Sequence, residues 1–388
     1  MVRGITITFT MAKHNDVLII GGGVIGLSLA YYMQKDGLKI TLCDQAALGQ
    51  EASWAGAGMI PGYQAKAAST PIGQLRGLAF DEIKHLSEEL RSRTGIDNGY
   101  LRCGGLELRC NATALEKKRL DQLQRDDGID GQNGEILDQA GLRQLEPHLS
   151  TTLPGGLLYR DAAQVRNPRH LKALSVACTS MGACLRPFCP VYAINHAHGR
   201  ITGVHTSAGV LQADVVVIAA GAWSKPFLMQ LGYDVDIQPV RGQIAMLKCQ
   251  FPLFQRMLLA GPKYLVPRPD GRVLVGSTEE HVGFCKTTTA AAIQQLLQMA
   301  IDFVPALAEA ELEKCWAGLR PGSPDKKPIL GKVPAIDNLY IASGHFRSGL
   351  QLSAITGKLL TDLIMQRPMA MDISPFSIQR FMNATATS

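Results

Sequence analysis

The 388-residue sequence predicts an α/β protein in which a parallel-sheet domain is interrupted by a second, α+β domain. Three observations carry this. A short apolar run, "DVLII" (Asp16 to Ile20), ends in glycines, leads into a helical pattern and then into a second short run, "KITLCD". Similar buried-strand runs recur far downstream as "ADVVVIAAGAWS" (Ala213 to Ser224) and "NLYIASG" (Asn338 to Gly344), each ending in small residues. The stretches between have another character, charged and helical over 81–149 and alternating over 227–319.

Taken in order, "MVRGITITFTMAKHND" has a Thr-rich, weakly apolar middle and makes a poor signal peptide. Met11 reads as a natural start and residues 1–11 as an N-terminal extension. In "VIGLSLAYYMQKDG", Ile25, Leu29, Tyr32 and Met33 share a helix face and Gly37 stops it. This strand–helix–strand opening carries G-x-G-x-x-G at Gly21, Gly23 and Gly26, a Rossmann-type fingerprint. The glycines permit a tight turn, close approach of a pyrophosphate and close helix–strand packing, and the helix start at Val24 and Ile25 offers N–H groups to phosphate. Asp44 follows the second strand at about the spacing where an acid takes the ribose hydroxyls. It would repel a 2′-phosphate, which disfavours NADP. The fingerprint leaves NAD and FAD both open. The small-residue loop "EASWAGAGMIPG" then lets backbone approach something flat or a phosphate.

Further on, "DEIKHLSEELRSRTG" reads as a charged helix, "RGQIAMLK" and "KYLVPRPDGRVLVGST" as strands with a Pro-Asp-Gly hairpin turn, and "AAAIQQLLQMAIDFV" as a helix. The expected division is 12–97, 150–226 and 320–388 for the nucleotide domain, with 98–149 and 227–319 forming the inserted domain.

Composition excludes several classes. The chain is 46% hydrophobic and 19% charged, enough for a sizeable core. Its net charge of +6 is mild and no Lys/Arg block occurs, so nucleic acid is not an expected partner. The apolar run "VLIIGGGVIGLSLA" is glycine-broken and too short to span a bilayer, so no membrane is expected. Nine cysteines without a C-x-x-C suggest neither a disulfide frame nor a metal site, and fit a reducing, cytoplasmic setting. Homo-oligomer formation stays open.

Two arginines stand apart. Arg320 in "CWAGLRPGSP" and Arg347 in "ASGHFRSGLQL" have no acid close by in sequence. The motifs "DVLIIGGGVIGLSLAYYM", "ASWAGAGMI", "DVVVIAAGAWS", "PVRGQ", "KYLVPRPDGRVLVGSTEE", "WAGLRPGSPDKKPILG" and "ASGHFRSGLQLSAITGKLLTDLI" lie in order from Asp16 to Ile364. Together they resemble the glycine oxidase (ThiO-type) branch of the D-amino-acid oxidase flavoproteins.

The resemblance implies a Rossmann-type FAD domain and a substrate domain with an antiparallel sheet over the flavin. It implies that FAD contacts Gly21, Gly23, Val24, Ile25 and Gly26 at the first turn, and Asp44 and Gln45 after the second strand. Ala52, Ser53, Ala57, Gly58 and Met59 would meet it from the small-residue loop, Val191 on the adenine side, and Gly221 close by. The run Gly344, His345, Phe346, Arg347, Ser348, Gly349, Leu350 and Gln351 would complete the site and face the flavin's pyrimidine edge with backbone N–H groups. Cys315 beside Trp316 raises covalent flavin, but the "LRP" that follows does not favour it, so FAD is expected to be non-covalent.

By the same resemblance Arg320 holds the substrate carboxylate as a bidentate fork. Arg347 is a supporting charge at the flavin's edge, and Tyr264 shapes or hydrogen-bonds the pocket. His345 is expected to pack rather than act as a base. Glu279 stands where the better-known pattern has Met, and Pro262 where it has His, so Glu279 is a candidate substrate-binding residue. The implied reaction is glycine + O2 + H2O to glyoxylate + NH3 + H2O2, with other small amino acids or amines as substrates and a role in making the thiazole of thiamine. The rivals are a D-amino-acid dehydrogenase of the same fold reducing a quinone, a sarcosine oxidase, and a non-catalytic flavin-binding subunit.

Overall fold

A computed structural model describes residues 15–62, 68–109 and 134–382. The expected extension, 1–11, and part of the 98–149 stretch lie outside the described residues. The chain runs through β1 (Asn15–Ile20), α1 (Val24–Lys35), β2 (Ile40–Cys43), α2 (Pro71–Thr94), β3 (Gly105–Leu108), β4 (Gly134–Asp138), β5 (Gly155–Tyr159), α3 (Asn167–Ser180), β6 (Cys184–Arg186) and β7 (Ala213–Ile218). It continues with β8 (Gln238–Lys248), β9 (Met257–Ala260), β10 (Lys263–Pro267), β11 (Arg272–Gly276), α4 (Ala290–Phe303), β12 (Glu311–Gly322), β13 (Ile329–Lys332), β14 (Leu339–Ser343) and α5 (Gly349–Ile364).

The first sheet has the order β13-β14-β7-β1-β2-β6 and is parallel except for β13, which runs antiparallel to β14. The buried centres of its strands, Val17–Ile20 in β1 and Val216–Ile218 in β7, are apolar because both faces are covered there. Alternate residues of β1 go to opposite cores: Val17 and Ile19 to one, Leu18 and Ile20 to the other. The first core is closed by α1, α2, α3 and α5. The second is closed by a small antiparallel sheet of Val191–Ala197, Arg200–Thr206 and Gly209–Leu211. Local chemistry sets the helix ends. Before α2, the Thr70 hydroxyl accepts the Gly73 N–H at 3.2 Å and Pro71 fills the first turn, while Gly95 in the left-handed region closes it.

The second sheet has eight strands in the order β12-β8-β11-β10-β9-β3-β5-β4, antiparallel except where β9 meets β3. Its outer face packs on α4 through Ala245, Leu247, Leu265, Val273 and Val275. Its inner face carries Ile244, Tyr264, Val266 and Leu274. Two expected boundaries move. Gly155–Tyr159, assigned by sequence to the nucleotide domain, pairs with β3 and β4 in the second sheet. Buried on both faces, "GGLLY" lacks the polar alternation that marks an inserted-domain strand. The boundary at residue 320 falls inside β12, so Arg320 belongs to the second sheet.

α1 sits on β1 at a glycine. A Cβ on Gly26 would overlap the Gly21 carbonyl oxygen, so the turn and the first helical turn can meet only there. Gly26→Ala must lift α1 from β1, and we expect about 1–3 kcal/mol of lost stability. Urea unfolding checks this; an unchanged midpoint would mean that the turn yields at little cost.

Candidate active site

A cavity of about 480 Å³ lies between the two sheets. One end is built by the β1–α1 turn, with Gly21, Gly23, Val24, Ile25, Asp44 and Gln45 in its wall, and by Val191, Tyr192 and Phe227. The other reaches the inner face of the second sheet at Tyr264, Ser277 and Arg320.

At the first end, the Asp44 carboxylate accepts the N–H of Gly22 at 2.6 Å and of Ala46 at 2.8 Å. Burial pushes its pKa up, and those two N–H bonds work against the shift. Gly21 has φ +110°, and a Cβ there would overlap Ala219 and its carbonyl, so only glycine brings the turn so close to the end of β7. The 52–59 loop is pinned from two sides. Val24 N–H donates to Ser53 Oγ at 2.9 Å, and Asn167 Nδ2 donates to the Ser53 carbonyl at 2.6 Å. The buried Arg268 donates to the carbonyls of Ala57 (2.8 Å) and Val165 (3.1 Å) and to Gln164 Oε1. Burial lowers its pKa to about 10. Two buried polar atoms of cavity-lining residues, Gln351 Nε2 and Asn167 Oδ1, have no hydrogen-bond partner among the described residues. Such atoms are rare in folded proteins and mark a place for a polar ligand.

The other end is a floor of glycines. Gly276, Gly242 and Gly318 lie on the inner face of neighbouring strands β11, β8 and β12. A Cβ on Gly276 would meet the Tyr264 ring, one on Gly242 would overlap the Arg320 guanidinium, and one on Gly318 would meet Ala55. Tyr264 and Arg320 therefore lie flat along the sheet, and the 52–55 segment can approach it. Trp316, on the same face, donates its Nε1–H to the Ala55 carbonyl at 3.0 Å.

Arg320 donates to the Thr278 carbonyl (3.0 Å) and to Ser277 Oγ (2.7 Å), and Tyr264 adjoins its guanidinium. It makes no ion pair with a described residue. Burial holds its pKa below the usual arginine value. Its remaining exposure is to the cavity. Arg347 differs. Its Nη2 donates to the Pro262 carbonyl at 2.6 Å, and its Nη1 lies 3.5 Å from Glu279 Oε2. His345, 2% exposed, is bonded through Nε2 to Thr356 Oγ1 at 3.1 Å, and burial lowers its pKa to about 3.

Of the residues singled out by sequence, Ala52, Ser53, Ala57, Gly58, Met59, Gly221, Phe346, Gly349 and Leu350 also line the cavity. Gly26, Gly344, Ser348 and Glu279 are not in its wall. Gly26 serves the helix–strand contact, Ser348 precedes α5 as its cap residue, and Glu279 faces Arg347 and Lys326. Cys315 packs against the outer core, on the face opposite Trp316, so it does not reach the cavity. Sequence reading missed Asn167, Arg268, Ser277 and Trp223. Asn167 stands beside Pro168 at the start of α3, where it reads as an ordinary helix-end residue, and Arg268 sits in a hairpin where a charge reads as solvated.

The sequence matches the family model "FAD dependent oxidoreductase" (DAO) over residues 16–363. It is 35% identical to glycine oxidase from Pseudomonas putida over 93% of this chain and 98% of that protein. It is 36% identical to the bifunctional protein ThiO/ThiG from Synechocystis sp., over 97% of this chain but 55% of that one. The structure superposes on glycine oxidase from Geobacillus kaustophilus with a TM-score of 0.88 and 33% identity, covering 95% and 99% of the two chains.

His345 and His170, whose pKa burial lowers to about 4, give stability a pH dependence. Above about pH 6.5 both are neutral folded or unfolded. Below it the unfolded imidazoles bind protons that the folded ones refuse, so stability falls as pH falls, by up to about 1.4 kcal/mol per pH unit for each. His345→Asn should shallow the slope of unfolding free energy between pH 6 and 4 by about that amount; an unaltered slope would show that His345 protonates in the folded state.

Proposed function

The chain belongs to the FAD-dependent oxidoreductase (DAO) family, and from that premise we propose that it oxidises glycine and other small amino acids or N-methylated amines, giving glyoxylate, ammonia and hydrogen peroxide from glycine, O2 and water. FAD is its cofactor. The residues present suit that group: a glycine turn with no room for a side chain, an acid beside it for ribose hydroxyls, and the unpartnered Gln351 Nε2 and Asn167 Oδ1. Bound FAD supplies the two-electron acceptor for the substrate's Cα hydrogen and passes the electrons to O2.

The protein's own part in this reading is positioning. Arg320 receives the carboxylate. Two of its five N–H donors are spent on Thr278 and Ser277, which fix the fork, and Tyr264 lies in contact with the guanidinium beside the cavity. Tyr264, 5% exposed and wedged against Gly276, keeps the guanidinium from swinging along the strand. His345 is no general base, because burial makes its imidazole a poor proton acceptor, with a pKa lowered to about 3, and its Nε2 is engaged with Thr356. Arg347, half-balanced by Glu279, borders the mouth as a supporting charge. Asp44, Val24 and the 52–59 loop hold the nucleotide end. The ThiO likeness carries the further proposal that the glycine-derived product feeds thiamine thiazole synthesis.

The observation that carries this reading is the half-buried Arg320 guanidinium facing the cavity without an ionic partner. Peroxide release on adding glycine in air tests it; glycine oxidation seen only with an added quinone would favour a dehydrogenase instead. Arg320→Leu should retain FAD yet lose on the order of a thousandfold in kcat/KM for glycine, while ethylamine, which has no carboxylate, stays an equally poor substrate of both forms. Equal loss on both substrates would assign Arg320 to the flavin or the fold.

A further inference from the structure

Two guanidinium groups line the cavity, and their surroundings differ. Arg320 has only neutral oxygens for partners. Arg347 is fixed by the Pro262 carbonyl through one nitrogen, while the other faces Glu279 at 3.5 Å. The second Glu279 oxygen lies 3.5 Å from Lys326 Nζ. Glu279 is outside the cavity wall; its charge faces Arg347 at 3.5 Å and is also felt, at longer range, by Arg320. Lys326 is 69% exposed and screened by water, whereas Glu279 and Arg347 are each about a third exposed.

We infer that Glu279 determines specificity by charge: it neutralises Arg347 from outside and so denies the site a second anionic group on the substrate. The inference rests on the reading of Arg320 as the carboxylate clamp. A monocarboxylate places its one charge on Arg320 and asks nothing of Arg347. The second carboxylate of a dianion would approach Arg347 and meet the like charge of Glu279 at similar range. An N···O separation of 3.5 Å is long for a charge-assisted hydrogen bond, so Glu279 acts as a charge rather than as a fork. Glutamine at this position removes the charge and keeps the shape. Arg347 then remains anchored by Pro262 with one nitrogen free for an incoming carboxylate.

The test uses two inert probes that differ by one carboxylate, methoxyacetate and oxydiacetate, titrated into the FAD-loaded protein and followed by the flavin absorbance change. The wild-type protein should bind oxydiacetate no more tightly than methoxyacetate. Glu279→Gln should shift the ratio of dissociation constants toward oxydiacetate by about tenfold or more, and the gain should shrink as salt is raised. Adding Arg347→Met should return the ratio to the wild-type value. A wild-type protein that already prefers oxydiacetate tenfold, or a ratio that Glu279→Gln does not move, would overturn the inference. Neither probe is turned over, so the ratio is read whether or not glycine is a substrate, and failure of the oxidase reading is seen separately as absent peroxide.

Discussion

A guanidinium held away from bulk water, with no ion pair among the described residues, is the constraint around which this molecule is arranged. Burying a charge without a counter-charge is costly, and the cost here appears as the lowered pKa of Arg320. A stability-driven sheet would place an apolar side chain on the inner face of β12. This sheet instead gives up side chains at Gly242, Gly276 and Gly318 so that Arg320 and Tyr264 can lie along it. Thr278 and Ser277 satisfy part of the guanidinium and leave the rest to whatever enters the cavity. In the proposed reading a substrate carboxylate would complete the set, and the stabilisation withheld in the free protein would become binding and orientation energy.

That arrangement works only if the second sheet is held in register with the nucleotide-binding turn. Several contacts do this from different directions. Arg268 ties the β10 hairpin to the carbonyls of Ala57 and Val165, and Trp316 ties β12 to Ala55. At the outer edge Phe284 stacks on Trp223 with centroids 5.3 Å apart, and Lys286 pairs with Glu51 at 2.7 Å. Each ties a strand of the second sheet, or a loop beside it, to the loops that leave the first sheet. The 52–59 loop and Arg320 are thus tied to one frame, which the proposed transfer from substrate to flavin would require.

How much of this could be read from sequence follows from how local each determinant is. The β1–α1–β2 unit was legible because its glycines, apolar runs and acid lie within about thirty residues and each has a separate physical reason. Arg320 and Arg347 stood out because few other groups in their stretches carry charge. The membership of Gly155–Tyr159 in the second sheet was not legible, since a strand apolar on both faces looks the same in either sheet and only distant pairing decides. The counterions of Glu279 were hidden for the same reason: Lys326 and Arg347 lie 47 and 68 residues away in sequence. The turning of Cys315 away from the cavity needs only strand parity, once β12 is known to run unbroken to Gly322.

The most direct measurement of the central claim is a crystal structure of the FAD-loaded protein with methoxyacetate bound. The account predicts both carboxylate oxygens at about 2.7–3.0 Å from Arg320 nitrogens, with Thr278 and Ser277 still holding the guanidinium from behind. A carboxylate seated on Arg347 or at the rim, with Arg320 bonded only to protein and solvent, would contradict it.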